Sequence, residues 1–164
     1  MVPRGVLVML TALSLAGAAA AQGSQIRLGQ SLNLSERELE VTADSLEVDQ
    51  ASGASVFSGN VLVLQGDMRI TAGQLRIEYT PALEGERQRI DRLVAEGGVT
   101  MITPAEAVEG QSAIYSLIGQ TLEMEGDVVL VQGANVLSGQ RLRVDLRNGS
   151  GQISGQVRTI IQLD

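Results

Sequence analysis

The feature that most constrains the fold is an internal repeat. The segment GNVLVLQGDMRITAGQLRIEY, at 59–79, returns 67 residues later in nearly the same pattern as GDVVLVQGANVLSGQRLRVDL, at 126–146. Gly97, Gly126 and Gly155 are spaced by 29 residues, and each is followed two positions later by valine. A repeat of this length is typical of stacked architectures, in which each unit buries its apolar face against its neighbours.

Two further segments complete the repeat. Gly59 stands 38 residues before Gly97, and the longer interval contains TPALEGERQR at 80–89. Its proline, glycine and charges predict a surface loop inserted into one unit. VTADSLEVD, at 41–49, matches ITAGQLRIE, at 70–78, and so predicts a partial unit before the first full one.

Apolar side chains alternate with a period of two, which predicts strands with one buried face. The alternation is strict through 57–63, 93–101 and 122–130, and runs through the glycine of each stretch, so these glycines are expected to face inward. Later in each unit the alternation slips by one residue near Ala72, Gly110 and Gly139. A slip turns side chains to the other face, so the sheet is expected to bend or bulge there.

The turns favour antiparallel pairing of these strands. The predicted strands are separated by short turn signals typical of hairpins, namely Gln65-Gly66, Gln132-Gly133 and Asn148-Gly149. In the middle unit Pro104 stands where the other units have the Gln-Gly pair. Helical periodicity is confined to 31–39. The residues predict an all-β roll of repeated bent rungs, with a parallel β-helix as the alternative.

One set of alternating aliphatic residues is expected to line the inside of the roll. Few bulky rings and several glycines would leave an interior that is less filled than that of an ordinary sandwich, and the methionines suit a variable ligand. A solid core of ordinary packing is nevertheless the interpretation that the residues alone favour. The candidate groove residues are Val61, Val63, Ile70, Leu75, Ile77, Val99, Met101, Val108, Met124, Val128, Leu130, Leu137, Leu142 and Val144, and Leu122 shares their pattern.

Missing residue types exclude several classes of site. The chain contains no Lys, His or Cys. It therefore lacks an imidazole base, a thiolate nucleophile, a Schiff-base lysine, a His or Cys metal site and a disulfide. The net charge of −7 argues against nucleic acid as the main partner, because phosphates need a basic surface. We expect no cofactor and no metal.

The N-terminus has the pattern of a secretory leader. Arg4 precedes an apolar run at 6–15, and small residues at 18–21 precede Gln22. The apolar run is shorter than the roughly 20 residues of a spanning helix, which favours a cleaved signal peptide over a membrane anchor. We expect residues 1–21 to be the signal peptide, 22–37 an N-terminal segment and 38–164 one β domain.

Charged residues suggest two sites that an ordinary solvated face also explains. Arg76 and Arg143 lie between inward positions, near Arg69, Arg141 and Arg147, and arginines of this kind bind sugar phosphates at a rim. Glu123 and Glu125 flank Met124, and paired carboxylates hydrolyse glycosides. Outward charges alternate along any soluble strand. We therefore assign no headgroup site and predict that the chain is not an enzyme.

Both ends of the chain are predicted to form edge strands. QVRTIIQL, at 156–163, has no charge between Arg158 and Asp164, and QIRLG, at 25–29, is a candidate strand at the other end of the chain. Exposed edges invite the addition of another strand. Self-association end to end, or with similar β-rolls, is therefore expected.

Several of these motifs together resemble the OstA-like lipopolysaccharide transport family. The resemblance rests on the units at 59–66 and 126–133, the ADSLEVD segment at 43–49 and the leader, and it covers roughly 38–157. It implies an open β-jellyroll of bent antiparallel strands. It also implies a periplasmic carrier that binds lipopolysaccharide and joins β-jellyroll domains of inner-membrane and outer-membrane components. A membrane-anchored component of the same pathway and a structural exported β-solenoid are the alternatives.

Overall fold

The computed structural model describes residues 25–27, 38–81 and 88–162. The expected signal peptide and most of the segment with helical periodicity lie outside these residues. The expected surface loop also lies largely outside them, and its two ends, Thr80 and Arg89, are joined by a backbone hydrogen bond of 2.8 Å.

The described residues form eleven strands of one antiparallel sheet. The antiparallel pairing excludes the parallel β-helix, and no helix among these residues has the length and apolarity to cross a bilayer. The strands are β1 Gln25–Arg27, β2 Glu40–Thr42, β3 Ser45–Val48, β4 Ser55–Gln65, β5 Met68–Tyr79, β6 Ile90–Ile102, β7 Glu106–Ser116, β8 Thr121–Gln132, β9 Asn135–Asp145, β10 Ser150–Ser154 and β11 Arg158–Ile160.

Strands that follow each other in the chain are neighbours in the sheet from β4 to β10. At one end β2 and β3 both pair with β4, and at the other end β10 and β11 both pair with β9. Each of these short pairs is therefore one rung broken in the middle. β1 pairs with β10, so it lies at the same end of the roll as the C-terminal strands. The strand expected within 25–29 is therefore present at 25–27, and its partner is a C-terminal strand.

Every long strand bends at its middle, where the register shifts. The bends divide the sheet into two arms that face each other. The lower arm consists of 40–42, 61–72, 99–110, 128–139 and 158–160, and the upper arm of 25–27, 45–48, 55–58, 74–79, 90–96, 112–116, 121–125, 141–145 and 150–154.

Two consecutive left-handed residues form the bend in β4, β6 and β8. Gly97 and Gly98 have φ angles of 83° and 82°, and Gly126 and Asp127 have 83° and 47°. In β4, Gly59 and Asn60 stand opposite the single residue Gly73, between the pairs Ser58–Gln74 and Val61–Ala72. This two-against-one arrangement is a β-bulge, which bends a strand sharply.

The bulges correct one expectation and confirm another. Gly97 is exposed and Gly59 and Gly126 are partly exposed, so the glycines of the repeat lie at the bend and not among the inward residues. The apolar alternation passes through them unbroken because each bulge contains two residues. On the strands between, the register shifts beside Ala72, Gly110 and Gly139, as the slip in the pattern predicts.

The core lies between the arms. Directly opposed residues of adjacent strands form continuous rows across the inner face, so each row crosses the whole sheet. One row of the upper arm consists of Leu46, Phe57, Leu75, Ala95, Ala113, Met124, Leu142 and Ile153.

The turn that contains Pro104 differs from the Gln-Gly turns of the other units, but the pairing register of the strands beside it is unchanged. The Thr103 amide donates to the Glu106 carbonyl at 2.8 Å, and the Thr103 hydroxyl oxygen accepts from the Glu106 amide at 3.1 Å. Val99, Met101 and Val108 remain buried on either side. The departure from the repeat is therefore confined to the turn.

Substitution of the two glycines in the β6 bend separates backbone strain from crowding. Both have left-handed φ angles, but a Cβ on Gly97 would lie 3.2 Å from Gly73 Cα, whereas a Cβ on Gly98 meets nothing within 4 Å. Gly98→Ala should cost about 1–2 kcal/mol from the left-handed backbone alone. Gly97→Ala should cost about 1–3 kcal/mol more, because two backbones already touch there. Urea unfolding measures both, and equal losses would contradict the close approach.

Candidate functional site

The structure places the predicted groove residues on the inner face. Thirteen of the fourteen are buried, and Ile70 is half-buried and packs against the others. They come from both arms: Val63 and Leu130 from the lower arm, and Leu75 and Val144 from the upper arm. The alternating pattern therefore identified one shared apolar interior. Binding of a ligand by these residues is a proposal.

Several interior residues were not among the predicted groove residues. Leu93, Ala95, Ala113, Tyr115 and Ile153 are buried in the same cluster. Leu93 and Ala95 share the period of two with Val99, so the pattern contained the signal for them. Ile153 lies in a five-residue strand between turns, where alternation is too short to distinguish the faces.

A small apolar cavity lies between the arms near the middle of the roll. Its free volume is about 20 Å³, which is room for about one water molecule. Apolar side chains from both arms line it, and Tyr115 is the only lining residue whose side chain carries a polar group. The lining residues are Val63, Ile70, Leu75, Leu93, Ala95, Val99, Met101, Ala113, Tyr115, Leu122 and Met124.

Two alanines explain where the cavity lies. Ala95 and Ala113 stand directly opposite each other on β6 and β7, in the row in which Leu75 and Met124 fill the positions on either side. Both alanines are buried. The two small side chains therefore leave the space between the arms unfilled at this position.

Tyr115 gives the electrostatic character of this interior. Its side chain is 9% exposed, and burial raises the pKa of the phenol to about 12. The raised pKa follows from the low polarity of the surroundings, since burial disfavours the charged phenolate.

Ion pairs occupy the outer face of the upper arm. Arg143 contacts Glu123 at 3.0 Å and Arg141 contacts Glu125 at 2.7 Å, each pair joining directly opposed residues of β8 and β9. Arg76 contacts Glu78 at 3.2 Å. These side chains point away from the cavity. The structure thus places the arginines and carboxylates of the sequence prediction on a solvated face, where exposed pairs contribute little to stability.

Polar side chains line the free edge of the lower arm. Gln65, Thr103 and Glu106 lie where β4, β6 and β7 meet their turns, and they are the buried polar residues among those the structure describes. Gln132, opposite Glu106 on β8, donates from its amide nitrogen to the Glu106 carboxylate at 2.8 Å. The apolar interior is thus bounded on this side by hydrogen-bonded groups.

Replacement of the buried phenol should change the response of the fold to alkali. Since the folded-state pKa is above the usual value of about 10, the stability contributed by the neutral phenol is complete below about pH 10 and is lost as the pH rises through about 12. Tyr115→Phe should remove this loss. The midpoint of urea unfolding at pH 9 and pH 11.5 measures it, with Tyr79→Phe as the control that retains Tyr115. An identical alkaline loss in Tyr115→Phe would contradict a buried phenol.

Comparison with known proteins identifies relatives over most of the chain. A protein of Rhizobium meliloti (strain 1021) described as uncharacterized is 33% identical over 163 residues, which cover 94% of this chain and 86% of that protein. A protein of Rickettsia prowazekii (strain Madrid E), also uncharacterized, is 28% identical over 106 residues, which cover 63% of this chain and 72% of that protein.

A solved structure has the same fold. LptH, described as the LptA-homologous periplasmic component of the lipopolysaccharide transport device of Pseudomonas aeruginosa, superimposes with a TM-score of 0.68 at 16% identity. The match covers 78% of this chain and 97% of LptH. The jellyroll that the sequence resemblance implies is therefore confirmed.

The family model described as LptA/(LptD N-terminal domain) LPS transport protein matches residues 40–150, which include all strands from β2 to β9 and the first residue of β10. The family is one of transport proteins rather than enzymes. Because this match covers more than half of its residues, the chain belongs to the LptA/LptD N-terminal domain family and has a role in lipopolysaccharide transport.

Proposed function

We propose that this chain is a periplasmic carrier that holds the acyl chains of lipopolysaccharide between its two arms and passes the lipid from an inner-membrane complex towards an outer-membrane translocon. The observation that carries this proposal is the apolar inner face, which continues across six successive strands, from β4 to β9, on both arms and extends to β10 on the upper arm. The leader pattern at 1–21 supports export to the periplasm.

The energetics of the cargo explain why such an interior is needed. Exposure of apolar surface to water costs about 0.8 kcal/mol for each CH₂ group. An acyl chain of about a dozen carbons therefore costs on the order of 10 kcal/mol to expose, and lipopolysaccharide carries several such chains. A protein that carries it through water must cover these chains.

The arms must separate for the lipid to enter. The cavity of about 20 Å³ holds about one water molecule, and an acyl chain is many times larger. Its lining combines Val63 and Met101 of the lower arm with Leu93 and Met124 of the upper arm. Movement of one arm away from the other widens this space without breaking a strand, because both arms remain joined at the bends.

Photo-crosslinking at neighbouring positions of β4 tests the proposed lipid site. Val63 is 1% exposed and lines the cavity, whereas Leu64 is next to it on the opposite face of the same strand. A photoreactive residue at Val63 should crosslink to lipopolysaccharide, and the same residue at Leu64 should not. Equal crosslinking at both positions, or none at Val63 in a folded protein, would contradict a lipid site between the arms.

The two ends of the roll support joining end to end with copies of this chain or with similar β-jellyroll domains. At the β3 end, Leu46 and Val48 belong to inner-face rows but are 54% and 59% exposed. At the β11 end, Ile160 and Ile161 are 48% and 62% exposed. Contact between the two ends would cover these exposed side chains and continue the inner-face rows of Leu46 and Val48 from one roll to the next.

A charge at the β3 end should prevent this joining. Leu46→Glu places a carboxylate in the proposed contact, while the exposed position limits the change in stability to about 0.5 kcal/mol. The control is Ile114→Glu, a 42% exposed position on the outer face of β7, away from both ends. Light scattering should show reduced association for Leu46→Glu and unchanged association for Ile114→Glu. Unchanged association in both would count against the end-to-end contact.

A further inference from the structure

The strand β1 covers an edge that the end-to-end contact needs. Gln25, Ile26 and Arg27 pair with Gln152, Gly151 and Ser150, so β1 occupies the outer side of β10. The β11 half of the same broken rung has no partner on its outer side among the described residues. The C-terminal end of a single chain therefore presents an open edge on the lower arm and a covered edge on the upper arm.

In the sequence, β1 is next to the strands that form the opposite end of the roll. β1 precedes β2, and β2 pairs with β4 at the far end of the sheet. The strand directions place the end of β1 and the start of β2. β1 runs towards the free edge of the upper arm, and β2 starts at the free edge of the lower arm. The two strands are eight steps apart in the sheet order.

This span leaves the chain little length to spare. Eight steps of about 4.8 Å separate β1 from β2 by about 38 Å along the sheet. The thirteen peptide steps from Arg27 to Glu40 reach at most about 43–47 Å. Pairing of β1 with β10 of its own chain therefore limits the conformations open to the connection, which opposes this pairing entropically.

The same pairing between two copies removes this limit. When the β2 end of one copy meets the β10 end of the next, β1 of the first copy lies within a few strand widths of β10 of the second. The ladder between β1 and β10 is the same in both arrangements, since both partners have the same sequence. Exchange of an identical element between copies is a low-cost route to assembly.

We propose that β1 is an exchangeable strand: within a single chain it covers β10 of its own roll, and in the assembled form it pairs with β10 of a second copy of this chain. The proposal rests on the end-to-end contact of the proposed function and adds the regulation of that contact. Release of β1 from its own β10 precedes joining, and β1 then fastens the two rolls together.

Engineered cysteines test the exchange cleanly, because the chain contains no cysteine of its own. Gln25 and Gln152 stand directly opposite each other, within the range in which opposed strand positions form disulfides. A mixture of Gln25→Cys and Gln152→Cys chains forms a disulfide only between copies. Oxidation of this mixture at assembling concentrations should give covalent dimers on a non-reducing gel. A mixture of Gln25→Cys with Glu123→Cys, on the outer face of β8, should give at least tenfold fewer.

The double variant Gln25→Cys/Gln152→Cys tests the covering role of β1. Its oxidation at high dilution locks β1 to its own β10, and light scattering should then show loss of assembly that a reductant restores. The control Val129→Cys/Ser138→Cys locks the directly opposed pair inside β8 and β9 and should assemble normally. Failure of the mixture to form dimers above the Glu123→Cys control, or normal assembly of the oxidised double variant, would overturn the exchange.

The lipid site provides the readout that separates this proposal from the proposed function. Crosslinking of lipopolysaccharide through a photoreactive residue at Val63 should be equal in the oxidised and reduced double variant, because the lining of the cavity lies away from β1 and β10. If the cysteine mixture gives no dimers above its control while lipopolysaccharide still crosslinks at Val63, the exchange proposal is overturned and the carrier proposal is not. Absence of crosslinking in both forms would instead contradict the carrier proposal.

Discussion

The bend in each long strand is the constraint on which the rest of the structure depends. A flat antiparallel sheet with this apolar alternation would bury one face and need a second layer to cover it. Two left-handed residues in β4, β6 and β8, opposite single residues of the neighbouring strands, instead fold the sheet upon itself. One chain thereby supplies both walls of its interior.

The repeat follows from this geometry. Each rung adds a bend and two inward-facing half-strands, and backbone contacts such as that between Gly73 and Gly97 require the bends to stack in line. Because every rung repeats the same arrangement, the inner face has no natural end within the stack. Its terminal rung at β3 leaves the inward side chains Leu46 and Val48 exposed, which supports the proposed assembly at the ends.

The sequence predicted the fold class and most of the interior because a period of two reports which face a side chain occupies. It failed at the bends: the alternation passes unbroken through Gly97 and Gly126, and only the φ angles show that these residues leave the strand path. It predicted a strand at β1 but not the partner of that strand, since three residues carry no signal of their partner and the pairing with β10 is set by the tertiary fold. The alternation also could not predict the small volume of the cavity, because it specifies which face a side chain occupies and not how closely side chains pack.

The central claim is that the two arms form the walls of a space that opens to admit acyl chains. The distance between the arms is its most direct measure, and spin labels on Ala134→Cys, in the exposed turn between β8 and β9, and Asn148→Cys, in the exposed turn between β9 and β10, report it. The account predicts that addition of lipopolysaccharide increases this distance, with a return to the initial value when the lipid is removed. Bound lipopolysaccharide with an unchanged distance between these turns would contradict the account.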